Sequence, residues 1–370
     1  MKMSRTHWPI VILLSFLPCA CTEQRGSSIE IAEAHPSVCR IEIRPTGVQL
    51  GSVTVGGEII DVGDAVARNS AGRIFTSTVY GGHIMEWDSV GRFHAIHGRP
   101  GEGPGEFAAG PMHIYVDRFD SVFVRDNSMA FSVFDERMNF VRRLRGPLVG
   151  LSDYTHFLDD GTILSTYAPA GRRPAPYFSI IDRDGNPVRT VAPQSSNSSG
   201  STAEDPQRLS TWGGDDSFWL VDDGDPGTYV LRQWSLDGER LKTLIRRADW
   251  LTPLSDAPLP RVGLLHQDSV GLIVVMTSAP NANWTPEKDV EANLGNLTEI
   301  FDVRMEVVDP ALGVVVASQP VADVSEVPRR FFPRSRTGWR IREAADGTPL
   351  IQLVQLELAA NEESADLCTY

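Results

Sequence analysis

Residues able to do chemistry are few in this 370-residue chain, and they sit far apart. His113 and His156, with Asp64 and Asp153, offer the nitrogen and oxygen donors that zinc or a similar ion takes. No His-x-His, His-Glu-x-x-His or cysteine-pair spacing ties them into a motif. Two acidic runs open like calcium loops, Asp182-Arg183-Asp184-Gly185-Asn186 and Asp222-Asp223-Gly224-Asp225. Neither reaches the downstream acid that completes an EF-hand. The first reads as a hairpin turn; the second leaves Asp222 and Asp225 as calcium candidates. No cofactor is firmly indicated, and calcium or another divalent metal is the kind for which donors exist. The stretch Gly101-Glu102-Gly103-Pro104-Gly105-Glu106-Phe107 is too rich in glycine and proline for helix or central strand, so it forms an ordered loop. It lacks the Lys-Ser/Thr pair of a phosphate loop and no helix follows it. No Gly-x-Ser-x-Gly elbow occurs either.

The elements that must position these residues are strands. From Ile41 onward the chain is short β-type runs broken by Asp/Gly/Asn turns, without a sustained helical period. One unit recurs: a strand, a tight polar turn, a second strand, a variable loop, a third strand ending at an aspartate, a turn and a fourth strand. The turn-opening aspartates Asp88, Asp135 and Asp182 are spaced by 47 and again 47 residues, which is a repeat period. Further copies follow through Leu209–Leu244 and Val262–Ser318, the latter with a long insertion. The last copy, Gly338–Glu343 and Leu350–Ala359, lacks a strand. The unpartnered runs Arg40–Arg44 and Val48–Val55 are placed to complete it and leave no long edge exposed. The expected fold is all-β, a six-bladed β-propeller of four-stranded antiparallel blades. Seven blades, or a pair of β-sandwiches, are the competing architectures.

In such a fold the blade-joining loops and the second-to-third-strand loops share one face, and the Asp/Gly turns share the other. The first face is the expected binding face, because long loops on a rigid scaffold carry function. It places Glu102, Glu106, Arg172, Arg173 and Trp284 as loop-face candidates, with Trp284 a cap over the channel, a partner anchor or a locally packed side chain. Counting eight residues back from the small residue that opens each second strand gives Asp64, His113, Asp153, Leu209 and Arg261 at the mouth of the central channel. Trp339 is taken for the last blade.

The ends carry address information. Lys2 and Arg5 precede an apolar run, Trp8 to Leu17, which meets Pro18-Cys19-Ala20-Cys21. That is an export signal over residues 1–20, too short to span a bilayer, with Cys21 as candidate lipidation site. Pro18 departs from the usual aliphatic residue, and ordinary secretion is the alternative. Residues 21–36 are expected to be a polar tether and 37–370 the propeller. Removing residues 1–20 takes Lys2 and Arg5 and no acid, so the formal charge moves from −14 to −16. Such acidity argues against nucleic acid and anionic membrane surfaces, leaving a lipid anchor as the only membrane contact of an expected monomer. Beyond the signal, Cys39 and Cys368 remain, a disulfide candidate in an exported chain.

Gly101–Phe107, followed by Pro111–Asp117, Val122–Asn127 and Val133-Phe134-Asp135, resembles the signature of NHL/TolB-like six-bladed propellers. It is also similar to exported bacterial "6-bladed beta-propeller" lipoproteins. The resemblance is strongest over residues 60–145; Met138 stands where the turn usually has glycine, and the fifth copy departs by its insertion. The resemblance implies a bacterial cell-envelope or secreted location. It also implies a non-enzymatic binding or scaffold module for a protein, peptide or glycan. The alternative it implies is a lyase or lactone hydrolase with a metal-assisted site at the channel mouth. RNA binding is disfavoured, because the family members that do it use a basic face.

Overall fold

The computed structural model describes residues 27–33, 39–78, 80–108, 110–126, 131–144, 155–167, 177–191, 210–214, 216–222, 227–252, 260–288, 297–360 and 368. β-branched and aromatic runs cut by Asp/Gly turns fold into successive antiparallel meanders. The first unit joins Val62–Arg68, Ile74–Thr78, Ile84–Trp87 and Phe93–His97 in chain order. The second joins Pro111–Val116, Val122–Asp126, Phe131–Phe134 and Phe140–Leu144. Thr155–Phe157, Ile163–Tyr167, Tyr177–Ile181 and Pro187–Val191 form the third. The fourth is Ser210–Gly214, Ser217–Asp222, Thr228–Ser235 and Arg240–Arg247. The fifth is Arg261–Gln267, Ile273–Pro280, Phe301–Asp309 and Val314–Pro320. The last unit pairs Arg330–Phe331, Thr337–Glu343 and Pro349–Ala360, then takes Cys39–Leu50 from the other end of the chain. Cys39 lies opposite Ala360 and Leu50 opposite Ile351.

The turns explain the repeat period. Asp88 accepts the amides of Val90 and Arg92 through one carboxylate oxygen, at 3.0 and 2.8 Å. Asp135 holds Arg137 and Asn139 at 2.9 and 2.8 Å, and Asp182 holds Asp184 and Asn186 at the same distances. Asp117 and Asp268 do the same in first-to-second-strand turns. The aspartate thus satisfies two turn amides that no strand can reach. Beside the outer turns the register shifts at Trp87, Phe134, Ile181, Trp234 and Val308, so a bulge recurs where the third strand meets the fourth. Met138 keeps the left-handed backbone of the turn, at φ 62°, although it is not glycine. Its side chain is buried against Phe134 and Val124, and that burial offsets the backbone cost.

Packing runs face to face between units. Phe75 and Ile84 of the first meet Ile114, Val122 and Phe134 of the second. Phe123 and Phe131 meet Ile163 and Ile181 of the third. Leu164 and Phe178 meet Phe218 and Leu220 of the fourth. Trp219 and Leu231 meet Leu265 and Val308 of the fifth, whose Val274 and Val307 meet Ile41 and Leu356 of the last. Ile351 and Leu353 of the last unit pack on Ile74 and Trp87 of the first. Central strands such as Ile74–Thr78 are therefore buried along their whole length and read as continuous rather than alternating. Cys39 and Cys368 form a disulfide, Cα to Cα 5.6 Å. Among the described residues no helix is long and apolar enough to cross a membrane.

Several expectations need correction. Cys39–Leu50 is one strand, bulged between Pro45 and Gln49, and among the described residues Val53–Val55 pairs only with Glu58–Ile60 in a small hairpin. Within the expected tether, Ser27–Glu33 is a strand, parallel first to Arg240–Arg247 and then to Val314–Pro320. It inserts Ile29 and Ile31 into the core between the fourth and fifth units, and makes that sheet mixed. The first strand of the last unit is the two-residue Arg330–Phe331, so Thr337–Glu343, which carries Trp339, is its second. Pro328 and Pro333 bracket Arg330–Phe331 and give it the composition of a loop.

Candidate functional site

The residues expected at the channel mouth do not assemble into one donor set among the described residues. Asp64 is exposed and pairs with Arg329 of the last unit at 3.2 Å. His113 is half-buried and stacks on Tyr115, ring centroids 6.2 Å apart. Arg261 is exposed at the first position of its strand. Trp339 is not at the mouth: it is 3% exposed and packs in the core between the last and first units. Asp222 ends the strand Ser217–Asp222. Asp153, Leu209, Arg172, Arg173, Asp225 and Cys21 lie outside the described residues. Among the described residues no three His, Cys, Asp or Glu side chains are grouped to hold a metal ion. Trp284 packs against the core of the fifth and last units, and its indole N–H has no hydrogen-bond partner among the described residues.

The glycine-rich loop is built inward. Glu106 turns back to accept the Gly103 amide at 2.8 Å and the Arg99 guanidinium at 2.6 Å. Those bonds hold its carboxyl below the usual carboxylate range. A Cβ at Gly101, where φ is 151°, would collide with that carboxylate. Phe107 is fully buried between the first two units, and only glycine at 98 leaves room for its ring. Glu106 is thus an internal cap of the loop, and Glu102 remains exposed.

A different set of polar side chains does converge, where the first strands run into their tight turns. His156 Nε2 lies 2.8 Å from Ser210 Oγ, joining the third unit to the fourth. Gln267 donates its backbone N–H to Thr211 Oγ at 3.0 Å, joining fourth to fifth. His266 Nε2 lies 2.7 Å from the Ser335 carbonyl, and its ring stacks on Phe331 at 4.7 Å. Because a carbonyl only accepts, that nitrogen carries the proton. Arg336 binds Asp268 at 2.7 Å beside it. Arg68 of the first unit donates to Ser335 Oγ at 3.4 Å and lies 4.6 Å from the centre of the Phe332 ring. Ser70 bonds Asp120 between the first and second units, and Tyr115 meets Phe157 between the second and third. Burial pushes the His156 imidazole down to about 4, helped by nearby His266 and opposed by the Ser210 bond. Burial likewise takes His266 to about 4, against the Ser335 carbonyl and Asp268. Both rings are therefore neutral near pH 7 and sit within electrostatic reach of each other.

Of this cluster only His156 stands out in the sequence as a candidate. The missed signal is the repeat itself. His156 stands two residues before the turn residue Leu158, and His266 two before its counterpart Asp268. Aligning the tight turns rather than the outer ones pairs the two histidines.

The described residues also border a depression of about 500 Å³ where Ser27–Glu33 leaves the fourth unit for the fifth, lined by Glu30, Arg246, Arg247 and Asp249. Arg246 below it is committed to Glu306 at 3.0 Å, and Tyr229 and Ser318 bond the same carboxylate. That buried, fully partnered network is a joint between units.

No protein-family model matches the chain, and no curated protein does. Among solved structures it is similar to a Bacteroides fragilis protein named as a candidate exported protein. The TM-score is 0.50 and the identity 10%, over 90% of this chain and 100% of the other. It is also similar to the WD40 β-propeller domain of Doa1, with TM-score 0.45 and 10% identity over 88% of this chain and 95% of the other. A third likeness is to virginiamycin B lyase from Staphylococcus aureus, with TM-score 0.41 and 11% identity over 85% and 99%. At such identities likeness is of fold alone. The sheets themselves, antiparallel, packed face to face in series and touching through their first strands, make the fold a β-propeller.

Proposed function

We propose that this protein is an exported six-bladed propeller of the NHL-like kind, tethered to the bacterial envelope through Cys21. In this reading its long-loop face binds a protein, peptide or glycan without catalysis. The observation that carries the reading is the contrast between the two faces. One is closed by short turns, most of them tied down by an aspartate, with little freedom to vary. Among the described residues the other carries exposed Tyr80, Met112 and Arg261, and the insertion residues 281–288 and 297–300 between the second and third strands of the fifth unit. Six units in closed sequence are supported by the chain of inter-unit packing, which passes from the last unit back to the first. Cys39–Leu50 fills the fourth place of the last unit.

The test is cross-linking capture from envelope extracts with the mature protein. A loop-face variant, Tyr80→Ala with Met112→Glu and Arg261→Glu, loses the captured species, whereas a turn-face variant, Val90→Glu with Val270→Glu, retains it. Equal capture by both variants overturns the loop-face assignment. Stoichiometric zinc or calcium in purified protein, lost with His113→Ala or Asp64→Ala, would replace the reading by a metal-assisted lyase or lactone hydrolase.

A further inference from the structure

Several arginines near the inner turns and first strands are matched with acids. Arg336 takes Asp268 at 2.7 Å, Arg329 takes Asp64 at 3.2 Å, Arg334 takes Asp159 at 3.7 Å and Arg73 takes buried Glu86 at 2.7 Å. Arg68 differs. It is half-buried at the last position of the first strand of its unit, and among the described residues its partners are neutral: the Ser335 hydroxyl and the face of Phe332. A guanidinium withdrawn from water without a counter-charge is costly, and this one lies in a chain of net charge −14, where acids are plentiful. The groups gathered beside it are oxyanion-binding types. Ser335 bonds Arg68 through its hydroxyl and His266 through its carbonyl, so guanidinium and imidazole converge on one residue. His156, within electrostatic reach of His266, brings a second imidazole and is held by Ser210. Among the described residues these bonds use Nε2 of each imidazole. With Nε2–H of His266 donating to the Ser335 carbonyl, its Nδ1 in the neutral ring is an acceptor, which meets a protonated phosphate oxygen, or donates to an oxyanion once the ring takes a second proton.

We propose that the inner, turn-side ends of the first strands form a binding site for a small oxyanion, a phosphate or a carboxylate, seated on Arg68 and flanked by Ser335, His266 and His156. A planar guanidinium offers the paired donors that both kinds of oxyanion accept. This site lies at the opposite ends of the strands from the long-loop face, so it stands or falls independently of that reading. Cross-blade contacts through Ser335 and Ser210 place the ligand where it would knit first, third, fourth, fifth and last units together.

Titration of the mature protein with inorganic phosphate and, separately, with citrate at constant ionic strength tests it by calorimetry and thermal shift. Saturable binding of at least one is expected, with sodium chloride as the inert control. Arg68→Gln weakens that binding at least tenfold, and Arg68→Lys retains more of it. Phosphate binding without citrate binding identifies a phosphate site, and the reverse a carboxylate site. Imidazole NMR signals of His156 and His266 shift with the bound anion in the unaltered protein, a readout that does not depend on any variant folding. No saturable binding of either anion, binding unchanged by Arg68→Gln, or histidine signals indifferent to the anion overturns the proposal.

Discussion

His156 and His266 set a pH window for stability that single residues can report. Both imidazoles titrate at about 4 in the folded chain, against about 6.5 when unfolded. A depressed folded value means the unfolded chain binds more protons between those limits. The contribution is therefore complete above about pH 6.5 and is lost as pH falls toward 4. Each histidine contributes at most about 3 kcal/mol, less as a pair because the two interact. Denaturant midpoints should stay level from pH 7.5 to about 6.5 and then fall toward pH 4.5, and His266→Gln should flatten the fall. Midpoints that stay level down to pH 4.5 would sink the assignment of neutral buried rings. The carboxylates Glu86 and Asp135, held below their ordinary range, act in a separate, lower window. For Glu86, burial pushes upward, but the bonds from His97 and Arg73 outweigh it. Phe107 gives a second residue-scale test. Phe107→Ala opens a cavity between the first two units and should cost about 3–5 kcal/mol, whereas Glu102→Ala nearby should leave thermal stability unchanged. Equal effects of the two would remove Phe107 from its place as the wedge.

At the scale of elements, the tight turn is the unit that makes the sequence legible. An aspartate followed by two amides and a left-handed residue is a local device, so Asp88, Asp135 and Asp182 announce their turns without help from distant chain. Asp117→Ala removes the buried carboxylate that accepts the Phe119 and Ser121 amides and should cost about 1–2 kcal/mol by chemical denaturation. A change within error would show that water replaces the carboxylate there. Elements fixed by remote partners were harder to read. Ser27–Glu33 has the alternation of a strand in Ile29 and Ile31, but its parallel partners lie more than two hundred residues away. Arg330–Phe331 is too short to show any period and is a strand only because Thr337–Glu343 lies beside it. Trp339 was placed at the mouth by that same omission, and the Arg68–His266 convergence requires the same correction. The candidate site was less legible than the fold because it joins side chains from several units, each unremarkable within its own.

For the molecule as a whole, the last unit is where both ends of the chain are held. Cys39–Leu50 and Pro349–Ala360 pair along most of their length, and Cys39–Cys368 bonds the two ends covalently across a sequence separation of 329. The strand pairing buries Ile41 and Leu356 in the core with the fifth unit, so losing it would also uncover Val274 and Val307. In an unfolded chain so long a loop is costly to close, and removing a native disulfide typically loses about 2–5 kcal/mol. The joint between the ends is thus the place where the fold would open first, ahead of meanders whose partners are adjacent in sequence. Hydrogen exchange on the Cys39→Ser, Cys368→Ser double variant should lose protection first at Cys39–Leu50 and Pro349–Ala360, with Ile74–Thr78 and Val122–Asp126 protected as before. The thermal midpoint should fall with it, and reducing agent should lower the unaltered protein to the same value. Loss of protection spread evenly over all units would mean that the disulfide steadies the whole fold rather than this joint. Unchanged exchange at both end strands would mean that pairing and packing alone hold the ends together.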